Sequence, residues 1–258
     1  MSPRAPRPLR PGAPLGGDYR VVAHLRRGDE CDVYDAESLE RRCRCVVKAL
    51  RPDRAQSRRA RLNLRRESEL LLGTTHPGIV RAYGLVMATP PMLVLETLPG
   101  ITLGGMLEDG ARLATGDLIQ LGAQLASTLA YLHDRGVVHR DVKPGNIVCS
   151  GGQARLLDFG IACAPGLKRD RAGTDGWMAP EQLATGHVSP ASDCWALGMV
   201  LYAAATGVAP KKVNRRVPVI DLRRLPRDLG STIEALLADQ PEDRPALDGV
   251  LTTLLTLP

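Results

Sequence analysis

Alternation of apolar and polar positions marks the first part of the chain. Residues 19–25, 31–37 and 43–50 alternate with period two, which predicts successive antiparallel strands. Residues 54–72 carry Leu62, Leu64, Leu70, Leu71 and Leu72 among Arg and Glu and read as a helix. Two further apolar stretches, near 79–86 and 92–96, read as strands before Pro99-Gly100 punctuates the chain. The period then becomes helical. Leu118, Ile119, Leu121, Leu125, Leu129 and Leu132 fit one face of a helix over 116–135, and residues 190–206 are so uniformly apolar that their helix must be buried. Residues 228–238 and 245–256 are two more amphipathic helices. The pattern predicts an α+β chain in three parts. Residues 1–17, rich in Pro and Arg, form a disordered tail. Residues 18–98 are a small strand-rich lobe with one helix, and residues 99–258 a larger helical lobe.

Composition changes this picture little. With 44% hydrophobic but only 3% aromatic residues and a single Phe, the core must be built from Leu, Val, Ile and Ala. The six Cys form no paired C-x2-C units, which argues against structural zinc and for reduced thiols. No run of 18 apolar residues and no apolar leader is present, so the expected product is a soluble cytoplasmic chain with no membrane association. The net charge of +6 is concentrated in residues 51–66 and 211–227. Such runs are first of all solvated faces; the partners they would attract are acidic proteins, and nucleic acid is not expected.

The chemistry sits in a few short segments. His139-Arg140-Asp141-Val142-Lys143-Pro144-Gly145-Asn146 follows the long predicted helix, and Asp158-Phe159-Gly160 follows the apolar pair Leu156-Leu157. Gly173-Thr174, Ala179-Pro180-Glu181, Asp193 with Trp195 and Gly198, and Arg244 come after in that order. Together these resemble the catalytic loop, D-F-G, G-T, A-P-E and later anchors of the protein kinases, and most closely the eukaryotic-type (Hanks-type) Ser/Thr kinases of bacteria. The resemblance covers about residues 18–258 and implies the bilobal protein-kinase fold.

It also implies roles. Asp141 would accept the proton of the attacking hydroxyl, Lys143 would offset charge on the transferred phosphate, and Thr174 would contact both. Asn146 and Asp158 would ligate Mg2+, whose hard oxygen preference suits them. Lys48, in Val46-Val47-Lys48, would bind the ATP phosphates. Its helix partner is Glu67 or Glu69, and the register nine residues before His76-Pro77 selects Glu67. Gly28, Val33, Val46, Glu96, Leu98 and Val148 would border the nucleotide. Phe159 would pack on His139 and Leu71, and Glu181 would pair with Arg244. ATP and Mg2+ are the implied cofactors, and Ser/Thr-bearing proteins, acidic ones among them, the implied substrates.

Three departures stand out. The glycine-rich loop reads Arg26-Arg27-Gly28-Asp29-Glu30-Cys31-Asp32-Val33, so only its central glycine survives and three acids lie where phosphates approach. This predicts weakened ATP binding, and Val46 in place of a small Ala tightens the roof over the base. No residue from 161 to 172 carries a hydroxyl. A phosphorylation switch drawn to Arg140 therefore has no acceptor there, Asp170 is its acidic substitute, and activity should not depend on activation-loop phosphorylation. The stretch after Pro210 is short, which predicts a reduced docking helix. Two other classes compete with an active protein kinase. A pseudokinase scaffold is favoured by the eroded loop and opposed by Lys48, Asp141, Asn146 and Asp158. A small-molecule kinase is opposed by Thr174 and Glu181.

Overall fold

Side chains that alternate between the interior and solvent build an antiparallel sheet in the computed structural model, which describes residues 6–168, 170, 172–208 and 220–257. The chain divides into two compact units, Met1–Thr75 with Val80–Leu98 and His76–Ile79 with Pro99–Pro258. In the first unit, β1 (Tyr19–Arg27), β2 (Cys31–Ser38), β3 (Cys43–Leu50), helix α1 (Arg58–Leu72), β4 (Ala82–Val86) and β5 (Met92–Glu96) follow one another. The sheet order is β1-β2-β3-β5-β4. On β3, Cys45, Val47 and Ala49 are buried in alternation with the less buried Val46 and Lys48. This period of two puts Lys48 on the opposite face from the core. Its cross-strand partners are Val33 on β2 and Leu93 on β5.

Helix α1 starts four residues later than the composition suggests. The Ser57 side chain accepts from the Ala60 N–H at 3.3 Å and caps the helix there. Ala60, Leu64, Glu67, Ser68 and Leu71 form its buried stripe. Arg58, Arg59, Arg61, Arg65 and Arg66 are exposed, as a solvated face requires.

The expectation of a disordered tail through residue 17 does not hold for its described part. Gly12 N–H donates to the Val21 carbonyl and Val21 N–H to Ala13, at 2.8 and 3.0 Å, so the segment runs along the free edge of β1. Leu15 is buried, Leu9 N–H donates to the Tyr34 hydroxyl at 3.1 Å, and Arg27 donates to the Pro6 carbonyl at 2.5 Å.

The second unit contains β6 (Ile101–Thr102), α2 (Leu103–Met106), α3 (Thr115–His133), β7 (Ile147–Ser150), β8 (Gln153–Leu156), β9 (Gly166–Leu167), α4 (Pro180–Thr185), β10 (His187–Val188), α5 (Pro190–Thr206), α6 (Arg227–Leu236) and α7 (Leu247–Thr256). Strands β6, β7 and β8 pair in that order, and β9 pairs with β10. Helix α5 is the buried centre of this unit, packed on α3 and α6. Gly198 permits the α5–α6 contact, because a Cβ there would meet Leu236 and Leu237 at 2.9 Å.

Among the described residues no helix is long and apolar enough to cross a membrane. All six Cys are free thiols. Burial pushes Cys45 up to about 11 and Cys194 up to about 12, so both are neutral packing groups near neutral pH. Lys211, Lys212, Arg215, Arg216 and the region expected to hold a reduced docking helix lie outside the described residues.

Candidate active site

The loop between α3 and β7 gathers the polar residues of the second unit around Asp141. Its Oδ1 accepts from the Thr174 hydroxyl at 2.5 Å. Its Oδ2 accepts from Lys143 Nζ at 2.6 Å and from Asn146 Nδ2 at 2.8 Å. Lys143 also donates to Thr174 Oγ1. A carboxylate offers about four lone-pair sites. Three donors leave one on Oδ1, which can accept from an incoming hydroxyl. Asn146 Nδ2 makes a second bond to the Asp141 carbonyl at 2.9 Å. With both acceptors on the nitrogen side, the amide oxygen of Asn146 is the atom left to bind a cation.

The backbone is held in an unusual conformation in this loop and again at Asp158 after β8. Arg140 has φ of 72° and Asp158 φ of 61°, both in the left-handed region that non-glycine residues rarely adopt. Each costs about 1–3 kcal/mol and needs support from its surroundings. For Arg140 the support is Asp193 on α5, whose buried carboxylate accepts from the backbone N–H groups of His139 and Arg140 at 2.8 and 2.9 Å and from His133 Nε2 at 2.9 Å.

His139 lies fully buried against Phe159, their ring centroids 4.7 Å apart at 71°. Its Nε2 faces the Leu157 carbonyl at 3.1 Å, and its Nδ1 faces the Asp141 N–H at 3.2 Å. The carbonyl can only accept and the N–H can only donate, so the proton is on Nε2. Burial lowers the pKa of His139 below the ordinary value, which agrees with this neutral tautomer.

Arg140 is a buried cation of the catalytic loop that reaches residues after Gly160. It donates to Asp170 at 2.6 and 3.3 Å and to the carbonyls of Ile161 and Ala172 at 3.2 and 3.3 Å. The acidic substitute foreseen in the sequence is thus paired with the cation that a phosphate would otherwise engage. Gly173 precedes Thr174 at φ of 146°, where a Cβ would meet Met178 at 2.7 Å, so a side chain here would be strained and would displace the Met178 side chain. Further on, Glu181 and Arg244 form a two-pronged pair at 2.8 and 2.9 Å.

The first unit holds a second cluster. Lys48 Nζ lies 2.8 Å from both carboxylate oxygens of Glu67, while the alternative Glu69 is exposed and pairs with Arg65. Val33, Val46, Glu96 and Leu98 are half-buried, with Val46 opposite Leu95 and Glu96 opposite Cys45. Glu96 also accepts from the Arg81 N–H at 2.8 Å. Gly28 closes the β1–β2 turn by donating to the Cys31 carbonyl at 2.8 Å. Val148 lies on β7 in the second unit, opposite Thr102.

The three acids of residues 26–33 at the tip of that β1–β2 hairpin, hereafter the lid, do not share one environment. Asp32 is 1% exposed and stands between His24 at 3.2 Å and Arg27 at 3.4 Å. Glu30 accepts from Asn63 of α1 at 3.1 Å. Asp29 is exposed. Arg51 caps the turn through the carbonyls of Gly28 and Asp29 at 3.1 and 3.3 Å, and its guanidinium holds the Asp53 carboxyl below the usual range. Sequence reading missed Arg51, Asn63, Tyr34 and His133. The signal for Arg51 and Asn63 is only their position at the end of β3 and on the Glu67 face of α1.

Residues 19–253 match the protein kinase domain model. The chain belongs to the protein kinase family. The kinase domain is 34% identical to a probable serine/threonine-protein kinase, PkwA, of Thermomonospora curvata, across 96% of this chain and 35% of that protein. It is 36% identical to a DNA damage-responsive serine/threonine-protein kinase of Deinococcus radiodurans, across 79% of this chain and 32% of that protein. Against the serine/threonine-protein kinase PknB of Mycobacterium tuberculosis, identity is 31% across 89% of this chain and 41% of that protein. The chain thus spans roughly a third to two-fifths of the length of these relatives.

Proposed function

We propose that this kinase domain transfers the γ-phosphoryl group of ATP to serine or threonine hydroxyls of protein substrates. The observation that carries this reading is the Asp141 carboxylate, oriented by Lys143, Thr174 and Asn146 with one acceptor position left. In the reaction the hydroxyl oxygen bonds to the γ-phosphorus as the bond to the bridging oxygen of ADP breaks. The hydroxyl proton passes to Asp141. Lys143 offsets negative charge on the transferring group, which is why its ammonium is held at the carboxylate rather than in solvent. Lys48, fixed by Glu67, is assigned to the α- and β-phosphates. Val33, Val46, Leu98 and Val148 are assigned to the base, with Gly28 on the lid and Glu96 at the end of β5.

A divalent cation fits the donor set. No group of three or more His, Cys, Asp or Glu among the described residues is placed to hold a metal. A pair of oxygen donors, the Asn146 amide and the Asp158 carboxylate, suits Mg2+, which completes its shell with phosphate oxygens and water. Bound there, the cation would neutralise phosphate charge. Acidic protein partners are consistent with the exposed arginines of α1, and a cytoplasmic setting belongs to the same proposal.

The test is transfer of labelled phosphate from ATP and Mg2+ to the chain itself and to a generic basic protein acceptor, followed by phospho-amino-acid analysis. Phosphoserine or phosphothreonine is expected. A chain that binds nucleotide but transfers nothing to either acceptor would favour the pseudokinase scaffold, the class that the glycine-poor lid recommends.

The Arg140–Asp170 pair sets a second expectation. Asp170→Ala leaves the buried guanidinium without its carboxylate. Because the Asp170 side chain is 40% exposed, the loss is limited to about 1 kcal/mol, or roughly fivefold in turnover. Asp170→Glu should restore most of it, and mass spectrometry of the active wild-type protein should find no phosphate on residues 161–173. An essential phosphosite there would overturn this account of the segment.

A further inference from the structure

Helix α1 presents Asn63 and Glu67 one turn apart on a single face. Glu67 holds Lys48, whose strand neighbour on β2 is Val33. Asn63 Nδ2 reaches the Glu30 carboxylate at the tip of the lid, 3.1 and 3.4 Å from its two oxygens. A carboxylate can only accept, so the amide nitrogen is the group that faces it. The same helix face therefore sets the position of both the phosphate-binding ammonium and an acidic side chain that follows the one surviving glycine of the lid.

Arg51 reinforces this placement. The Arg51 N–H donates to the Glu30 carbonyl at 2.9 Å, while the Arg51 guanidinium fixes the two preceding carbonyls. Asp32 is locked by Arg27 and His24. Glu30 has its charge held by a neutral amide from a different element. That bond does not cancel the charge; it decides where the charge points.

We propose that Asn63 is a positioning residue for nucleotide binding: it tethers the Glu30 carboxylate to α1 and so keeps that charge away from the triphosphate. The proposal rests on the reading that this domain binds ATP. The Asn63 tether offsets the repulsion expected from the acids that follow the surviving glycine.

The test uses the full chain and a fluorescent ATP analogue carrying an N-methylanthraniloyl group, with binding read directly so that turnover is not needed. Asn63→Ala should weaken binding about three- to tenfold, the range for freeing one charge near a polyanion. Glu30→Gln should bind at least as tightly as wild type. In the double variant the Asn63→Ala effect should vanish, because no charge is left to misplace. Wild-type affinity in Asn63→Ala would overturn the proposal. So would an equal loss of affinity from Asn63→Ala in the Glu30→Gln background, which would mark a merely structural role. Melting temperatures of the four proteins report folding separately. Failure of the wild-type protein to bind the analogue would instead overturn the ATP reading, and this proposal with it.

Discussion

Asp141→Asn should lower the turnover of phosphate transfer by about 10^2- to 10^4-fold, the contribution of a positioned general base, while ATP affinity changes little. The carboxylate accepts from three donors on Lys143, Thr174 and Asn146. An amide in its place turns one acceptor atom into a donor. Whichever way it is turned, its NH2 meets either the Thr174 hydroxyl or the Lys143 and Asn146 donors. In the first case the substrate hydroxyl loses its acceptor, in the second the lysine is no longer anchored, and in neither does a basic carboxylate remain to take the proton. Steady-state turnover and nucleotide binding measured on the same two proteins separate the effects. Equal turnover in the two proteins would remove Asp141 from the mechanism.

The largest loss of stability is expected from Arg244→Ala. The Arg244 side chain is fully buried and makes two bonds to Glu181 and others to the carbonyls of Ala191, Ala238 and Asp239. Its guanidinium carbon lies 5.1 Å from the centre of the Trp195 ring. Removing one partner of a buried pair costs about 3–5 kcal/mol, because the other charge and its acceptors stay desolvated. For a chain of this size that is a fall in Tm of roughly 10 °C. Arg244→Lys keeps the charge but not the planar fork and should fall between. Chemical denaturation checks the free energy. A loss under about 1 kcal/mol would make the pair no more than a surface contact.

These two residues were legible in the sequence because they stand in ordered motifs, and much of the fold was legible because burial imposed a period. The strands at 43–50 and 92–96 and the helix at 190–206 end where their apolar patterns end. Helix α1 was read too early because the turn residues before Ser57 share its Arg-rich composition; only the cap marks the start. The segment before β1 was misread for a different reason. It docks chiefly through main-chain bonds of Gly12 and Ala13, which leave no trace in side-chain pattern, and through the isolated anchor Leu15. The lid was half legible. Its lost glycines are plain in the sequence, but the pairing of Arg27 with Asp32 depends on a register that exists only once the turn at Gly28 closes.

The docked segment has a practical consequence. From Leu15 to Pro6 it follows β1 and ends in a bond to Arg27, the last residue of the strand before the turn. Whatever is joined ahead of residue 6 is therefore attached beside the β1–β2 turn. A purification tag, a fluorescent reporter or a surface tether at that end would tug on the hairpin, whereas the same attachment after α7 leaves it undisturbed. Force applied at the amino end would serve as a handle on the hairpin itself.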